Sequence, residues 1–268
     1  MSTQYNAIQR PYDELRKKTI SLVERANVRS LVMPFIHNAT VLDLACGSGF
    51  YSHHFVKWGA RKVIGVDISS AMIEEARVVA SGNSAEFIEA NCDKPTTYPG
   101  GPFDLVFGAW YLNYAATGSA LVEMFRNVLL NLKPGGRLVA VTPPPTNDPA
   151  EYIRRECELR PLPTASGGLY TTINKEVADG LYAHYHSATP AGDLDFDTYH
   201  LRKEVWEVAA REAGFQEPIQ WGVTQIPSDF MIDPIKYGEE HNGGAGEAEL
   251  ASYSDTPHYG LLMLRKQE

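Results

Sequence analysis

The hydrophobic pattern divides the chain into an early helical stretch, a regularly alternating middle and a less regular end. Over residues 7–36 apolar side chains recur at helical spacing among charged ones, and Pro34 ends the pattern. Short apolar runs separated by amphipathic segments follow. They predict strands over 40–44, 62–67, 86–90, 103–107 and 137–142, and helices over 50–59, 71–80 and 119–132. Strands that alternate with helices at this spacing indicate a parallel sheet.

The alternation stops at Pro143, and residues 143–200 are rich in Tyr and His. From there on the pattern predicts strands over 180–186 and 194–200 with a turn over 189–193, a helix over 201–213, and strands over 215–226 and 259–264. The segment 227–258 is polar and acidic and contains a glycine-rich stretch, so we predict that it is a mobile loop.

Composition bears on the partners of the protein. The 268 residues include 33 acidic and 24 basic side chains, which give a formal net charge of -9. Nucleic-acid binders usually present a basic face, and the longest basic run here is Arg16-Lys17-Lys18. No uninterrupted apolar run approaches the ~20 residues of a membrane span. We therefore expect neither a nucleic-acid nor a membrane partner.

The three cysteines, Cys46, Cys92 and Cys157, are odd in number and far apart, which suits neither a disulfide framework nor a zinc site. The amino terminus has no apolar core after a basic stretch, so we expect no signal peptide. Together these features predict a protein of the reducing cytoplasm.

A candidate ligand site follows the first two strands. Asp43 precedes the turn Cys46-Gly47-Ser48-Gly49, in which the glycines permit a close backbone approach, and Asp67 ends the next strand. Asp43 suits an ammonium group and Asp67 suits two ribose hydroxyls, and both lie beyond the carboxyl ends of strands, where ligands of such sheets bind. A nicotinamide dinucleotide is disfavoured because Gly-x-Gly-x-x-Gly is absent and Asp43 would repel a pyrophosphate.

These residues resemble the Asp-x-x-Cys-Gly-x-Gly turn of class I S-adenosylmethionine-dependent methyltransferases. The resemblance covers residues 38–142 well, and 200–226 and 258–265 more loosely. It extends to Lys133-Pro134-Gly135-Gly136, a turn before the fifth strand. Ala45 departs from the family, which more often has glycine there.

The resemblance implies S-adenosyl-L-methionine as the cofactor and assigns parts of it to residues of this chain. Asp43, Ala45 and Gly47 would line the methionine portion, and Asp67 would hold the ribose. Ile68 would pack on the adenine, and Asp93, in the segment Asn91-Cys92-Asp93, would face its amino group. Phe107 and Ala109 would lie beside the sulfonium. Tyr5 and Tyr12 resemble the tyrosines of a lid helix that closes over the cofactor, or are two surface tyrosines.

The fold implied is a seven-stranded, doubly wound, mostly parallel sheet with an antiparallel last strand and a cap insertion. We expect lid helices over 1–37, the cofactor-binding half over 38–142, the cap over 143–200, and the rest of the sheet domain over 201–268. The chain also looks like the toxoflavin synthase-like branch of biosynthetic N-, O- or C-methyltransferases, which act on small molecules.

The acceptor side is less defined by the sequence. Trp110, Tyr111 and Tyr114 follow the fourth strand, where the methyl group should emerge, and either line an acceptor pocket or pack a loop. The segment lacks the Asn/Asp-Pro-Pro-Tyr/Phe tetrapeptide of enzymes that methylate nucleic-acid amino groups, which favours a small-molecule acceptor.

His184 and His186 are the catalytic candidates. With Tyr182 they share one face of a predicted strand, and Asp195 and His200 come close in the next. A histidine with a pKa near neutrality can take a proton from a hydroxyl or amine, although a surface or packing role is the commoner one for such a residue. No third ligand with convincing spacing accompanies them, so we predict no metal.

Two other functions stay open. The chain could be a cofactor-binding protein that does not transfer methyl, or a protein or RNA methyltransferase. The acceptor, the methylated atom and the oligomeric state are left open by the sequence.

Overall fold

The computed structural model describes residues 9–16, 19–80, 84–159, 169–216, 218–228 and 257–268, which contain ten strands, seven α-helices and a short 3₁₀ helix (Leu112–Tyr114). The helices are α1 (Gln9–Arg16), α2 (Thr19–Val32), α3 (Phe50–Lys57), α4 (Ser70–Val79), α5 (Gly118–Asn131), α6 (Pro149–Leu159) and α7 (Lys203–Ala213). The strands are β1 (Thr40–Leu44), β2 (Lys62–Asp67), β3 (Ala85–Glu89), β4 (Phe103–Ala109), β5 (Leu132–Thr142), β6 (Tyr170–Val177), β7 (Gly180–Thr189), β8 (Gly192–Leu201), β9 (Gln220–Val223) and β10 (Gly260–Arg265).

Seven strands form the main sheet, in the order β3-β2-β1-β4-β5-β10-β9. The first five run parallel, and β10 lies antiparallel between β5 and β9. The predicted seven-stranded, mostly parallel sheet with an antiparallel last strand is therefore confirmed. The order reverses between β1 and β4, so the carboxyl ends of these strands flank the crevice in which open α/β sheets bind ligands.

Successive side chains of a strand point to opposite faces of the sheet, so alternate residues of each strand belong to two separate cores. In β4, Leu105 and Phe107 join the core beneath α2 and α3, while Val106 faces the core beneath α5 and α7. Each of these three side chains is fully buried. The sheet is thus covered on both faces, which fits its near-continuous apolar strands.

A second, three-stranded antiparallel sheet, β6-β7-β8, forms the cap. Its inward residues, including Leu181, Ala183 and Phe196, belong to the same core as α2 and α3. The predicted hairpin is confirmed as β7 and β8, but β6 and α6 were not expected. β6 is polar and largely exposed, so it lacks an apolar pattern. α6 carries a start signal that could have identified it, because Asp148 accepts from the Glu151 N–H at 2.9 Å.

Several element boundaries differ from the predictions. The helical stretch over 7–36 is two helices, α1 and α2. The expected turn Lys133-Pro134-Gly135-Gly136 lies within β5, where Gly135 adopts a φ of 75° and the register with β4 shifts. The strand over 215–226 shortens to β9. Most of the predicted loop 227–258 lies outside the described residues.

None of the described helices combines the length and the apolar character that a membrane crossing requires.

The start of β7 gives a test of the cap. A methyl group at Gly180 would lie 2.3 Å from the His200 carbonyl oxygen and 2.7 Å from Leu201 Cα, both in the backbone of β8. Gly180→Ala should therefore force β7 from β8 and lower the free energy of unfolding by about 1–3 kcal/mol. Gly222→Ala is the control, because the nearest atom there is Leu261 Cβ at 3.8 Å. Equal urea midpoints for the two variants would contradict this packing.

Candidate functional site

A cavity of about 440 Å³ opens where β1, β2, β3 and β4 end. Eight of the predicted site residues line it: Ala45, Asp67, Ile68, Asn91, Cys92, Asp93, Tyr111 and Tyr114. Three residues of the cap sheet, which the sequence analysis did not assign to this site, complete the wall: Tyr182, Asp197 and Tyr199. The cavity is therefore shared between the main sheet and the cap, and we refer to it as the main cavity.

The turn after β1 forms one side of the main cavity. Ala45, Gly47 and Gly49 have φ values of 55°, 53° and 84°, in the left-handed region that favours glycine. A methyl group on Gly49 would approach Phe87 to 2.9 Å, whereas one on Gly47 would meet no atom within 4 Å. Gly49 is thus needed for packing, and Gly47 leaves open space at the turn.

Asp67 fixes this turn. Its Oδ2 accepts from the Gly47 N–H at 2.9 Å, and its Oδ1 accepts from the Ser69 N–H at 2.8 Å. Burial raises the pKa of Asp67, although these backbone hydrogen bonds oppose the shift. Ile68 beside it is 37% exposed, so an apolar side chain and a carboxylate face the same cavity. This pairing suits a ligand with a flat apolar part and adjacent hydroxyls.

Asp43 is only 2% exposed and is not among the residues that line the main cavity. Ser52 Oγ donates to its Oδ2 at 2.6 Å. Burial raises the pKa of Asp43 to about 7, the Asp67 carboxylate adds to the shift, and the Ser52 hydrogen bond opposes it. Phe107 and Ala109, also assigned to the cofactor from sequence, are buried nearby in the core at the end of β4. Neither is among the residues that line the main cavity.

A buried polar cluster covers this side of the sheet. Arg16 Nη1 donates to Glu24 Oε1 at 2.8 Å, and Arg16 Nη2 donates to the Tyr12 hydroxyl at 2.6 Å. Tyr51 donates to Glu24 Oε1 at 2.6 Å, and Trp110 Nε1 donates to Glu24 Oε2 at 3.2 Å. Burial disfavours the charged guanidinium, yet the neighbouring Tyr12 and Glu24 hold the pKa of Arg16 well above its ordinary value.

Tyr12 was predicted to lie in this region, but Arg16, whose Nε is buried without a hydrogen-bond partner, was not. Because Arg16 stands in a run of three basic residues near the amino terminus, its sequence context resembles that of an exposed residue. Tyr5, the other predicted lid tyrosine, lies outside the described residues.

The aromatic segment after β4 divides between two cavities. Tyr111 and Tyr114 line the main cavity, and the Tyr111 hydroxyl donates to the Cys92 carbonyl at 2.6 Å. Trp110 adopts a φ of 59°, rare for a bulky residue, and turns its ring to the other side, against Tyr185 and Tyr259. There it lines a second space, of about 10 Å³, which we call the small chamber.

His184 and His186 lie on the partly exposed face of the cap sheet, the same face that carries Tyr182, Asp197 and Tyr199 of the main cavity. His184 contacts Asp197 Oδ1 at 3.0 Å and Asp195 Oδ1 at 3.1 Å, and His186 contacts Asp195 Oδ1 at 2.8 Å. Both side chains are 34% exposed, and neither lines the main cavity or the small chamber. Asp195 and His200 were both expected near this face. Asp195 is there, but His200 points inward, because it lies an odd number of residues from Asp195 along β8. The structure does not bring these three histidines together.

Among the described residues, no group of three or more His, Cys, Asp or Glu side chains could hold a metal ion.

Parts of the chain are similar to known methyltransferases. Residues 41–136 match the family model described as a methyltransferase domain. The chain is 30% identical over 157 residues to the trans-aconitate 2-methyltransferase of Enterobacter sp. (strain 638), covering 58% of this chain and 57% of that protein. It is 35% identical over 99 residues to the ribosomal protein L11 methyltransferase of Burkholderia cenocepacia (strain HI2424), covering 37% of this chain and 30% of that protein.

The fold has solved counterparts. A crystal structure of an S-adenosylmethionine-dependent methyltransferase from Mesorhizobium loti superposes with a TM-score of 0.58 at 21% identity, covering 91% of this chain and 98% of that one. The chain therefore has the Rossmann-like fold of these methyltransferases. The alignment with the Enterobacter relative spans little more than half of that protein.

The buried carboxyl group of Asp43 gives a pH test of the site. Its folded-state pKa of about 7 exceeds the ordinary value of 3.8, so the folded protein binds this proton more tightly than the unfolded chain. The stability that results is fully present below the ordinary value and is lost as the pH rises through 7. Because Asp43→Asn cannot ionise, its free energy of unfolding relative to wild type should rise by about 2–3 kcal/mol between about pH 5 and pH 8.

Urea unfolding at both pH values measures this difference. Asp193→Asn, at an exposed position where β8 begins, is the matched control and should track wild type. A parallel pH response of Asp43→Asn and wild type would show that Asp43 keeps an ordinary pKa.

Proposed function

We propose that this chain, which carries a class I S-adenosylmethionine-dependent methyltransferase domain over residues 41–136, binds S-adenosylmethionine in the main cavity and methylates a small molecule. The observation that carries the proposal is the convergence of eight sequence-predicted residues from four strand ends on one cavity. Its volume of about 440 Å³ lies in the ~300–1,000 Å³ range of small-molecule sites.

The residues present fit the nucleoside part of this cofactor. Asp67, at the end of β2, would accept hydrogen bonds from the two ribose hydroxyls. Ile68 offers an exposed apolar side chain on which the adenine would pack, and Asp93 lines the same cavity for its amino group. The open space beside Gly47 would receive the methionine portion.

The charges present fit the methionine part. Asp43 is buried and Asp67 is partly buried, neither carboxylate has a salt-bridge partner among the described residues, and a ligand with a sulfonium and an ammonium would compensate both. Arg16 would donate its unpartnered Nε to the ligand carboxylate. Tyr12, bonded to Arg16, would close the site from α1.

When bound, the cofactor supplies a methyl group activated by a positively charged sulfur. The protein then needs to align the acceptor and exclude water. Trp110 lies at the end of β4, and its indole N–H donates to Glu24 on α2. Its ring would separate the cofactor side of the site from the acceptor side. The buried cluster around Glu24 would keep solvent from the reacting atoms.

A small-molecule acceptor is favoured over a macromolecule by three observations. The Enterobacter relative is named for trans-aconitate, the net charge of -9 disfavours nucleic acids, and the small chamber beyond Trp110 has little free volume. The match to a ribosomal protein methyltransferase covers only 37% of this chain. A cytoplasmic location, expected from the cysteine pattern, stays a prediction.

Cofactor binding tests the assignment of Asp67. Asp67→Asn removes the charge that would hold the ribose, so the Kd for S-adenosylmethionine should rise by about 10–100-fold in calorimetry. Glu89→Gln is the matched control, because Glu89 is the register partner of Asp67 on β3 but is exposed and does not line the cavity. Equal affinities for the two variants would show that the ribose binds elsewhere.

Transfer of labelled methyl tests the activity. The protein, incubated with methyl-labelled S-adenosylmethionine and a cell extract, should release S-adenosylhomocysteine and place label in the fraction that passes a small-pore filter. Label retained with protein or RNA would instead support a macromolecular acceptor. Tight cofactor binding without release of S-adenosylhomocysteine would support a binding protein that does not transfer methyl.

A further inference from the structure

The cap sheet turns opposite faces to the two cavities. On β8, Thr198 is fully buried, whereas its neighbours Asp197 and Tyr199 point the other way and line the main cavity. On β7, Tyr182 lines the same cavity and Tyr185 lines the small chamber. The face that carries Tyr182 and Tyr199 is therefore the part of the cap that bears on the main cavity.

These cap residues share the main cavity with the nucleoside half of the candidate site. Five residues at or just beyond the ends of β2 and β3 line it: Asp67, Ile68, Asn91, Cys92 and Asp93. Phe107 and Ala109, which were assigned beside the sulfonium, do not line it, and neither does Trp110. The cap tyrosines therefore face the place where a base and a ribose would bind, away from the transferred methyl group.

Tyrosine rings make up much of this wall. Tyr111 and Tyr114 come from the segment after β4, and Tyr182 and Tyr199 come from the cap. The rings of the cap pair lie 4.9 Å apart and are inclined by 46°. Ile68 offers an exposed apolar side chain to the same cavity. Aromatic rings and an aliphatic side chain around one space suit a flat heterocycle, because every base has a face that can stack.

Buried hydrogen bonds hold the two parts of the wall together. Asn113 Nδ2 donates to Thr198 Oγ1 at 2.5 Å, and the Thr198 hydroxyl donates to the Asn113 carbonyl oxygen at 2.7 Å. Both residues are fully buried. Asn113 precedes Tyr114, and Thr198 precedes Tyr199. The pair therefore fixes the cap residues of the cavity beside those of the 3₁₀ helix.

The charge of the wall selects among flat ligands. Its charged members within the described part of the chain are all acidic: Asp67, Asp93 and Asp197. Asp197 Oδ1 accepts from Asn174 Nδ2 at 2.9 Å and contacts His184 Nδ1 at 3.0 Å. Lys175 lies outside the wall, with its Nζ 5.6 Å from the centre of the Tyr182 ring. Carboxylates favour a ligand that donates hydrogen bonds, such as the amino and hydroxyl groups of adenosine, and disfavour a phosphate.

We infer that Tyr182 and Tyr199 bind the adenine of the cofactor, which would lie between them and Ile68, so that the cap sheet forms part of the cofactor site. The inference rests on the proposed function and adds to it. Both tyrosines lie outside residues 41–136, the segment that matches the methyltransferase family model, so the contact belongs to this chain's own cap.

Variants of Tyr199 test the contact. Tyr199→Leu removes the ring but keeps an apolar side chain, so the Kd for S-adenosylhomocysteine in calorimetry should rise by about 10-fold or more. Tyr199→Phe keeps the ring and should stay within about 2-fold of wild type. Tyr170→Leu is the matched control and should also stay within about 2-fold. Tyr170 lies on β6 of the same sheet but does not line the main cavity.

Adenosine separates a contact with the base from a contact with the rest of the cofactor. It shares the base and the ribose with S-adenosylhomocysteine and lacks the amino acid portion. Its affinity, measured by ligand-observed NMR, should therefore fall by a similar factor in Tyr199→Leu. A loss with S-adenosylhomocysteine but not with adenosine would place Tyr199 against the amino acid portion and overturn the inference.

Tyr182→Leu is the second variant, at a partly exposed position, and serves where thermal unfolding shows that Tyr199→Leu does not fold. It should weaken the binding of both ligands by about 5-fold. Unchanged affinities of folded Tyr182→Leu and Tyr199→Leu, beside a wild type that binds S-adenosylhomocysteine, would refute the adenine contact alone. Failure of wild type to bind S-adenosylhomocysteine would refute the proposed function.

Discussion

One buried carboxylate connects the segments around the site. Glu24, on α2, accepts hydrogen bonds from Arg16 of α1, from Tyr51 of α3 and from Trp110 beyond β4. Its side chain is only 1% exposed, so replacing it with an apolar residue would deprive three donors of their acceptor, two of them on buried side chains. The position of Trp110, and with it the division between the main cavity and the small chamber, depends on this single acceptor.

Periodic burial explains why much of the fold could be predicted. β1 and β2 match their predicted bounds because each is a short, mostly apolar segment bounded by turn residues. β5 does not, because Gly135 lets the chain bulge and stay paired where proline and glycine indicate a turn. β6 escaped prediction because an exposed, polar edge strand of a small sheet carries no alternation to detect.

The candidate site likewise contains residues that could be predicted from the sequence and residues that could not. Residues that follow strand ends could be predicted, since the carboxyl ends of neighbouring parallel strands meet at one edge of the sheet. Tyr182, Asp197 and Tyr199 could not be placed in the main cavity, because only the packing of the cap on the main sheet brings them there. Arg16 was missed for a related reason. It is a charged residue in a polar stretch, and its burial depends on contacts distant in sequence.

The cap sheet contributes part of the wall of the main cavity, and this has an energetic consequence. A ligand that touches both Asp67 on the main sheet and Tyr199 on β8 favours conformations in which the cap is docked. Thermodynamic linkage makes the effect mutual, so any interaction that stabilises the docked cap also increases the affinity for that ligand. A second molecule seated beneath the cap would then bind cooperatively with the first, without any contact between the two.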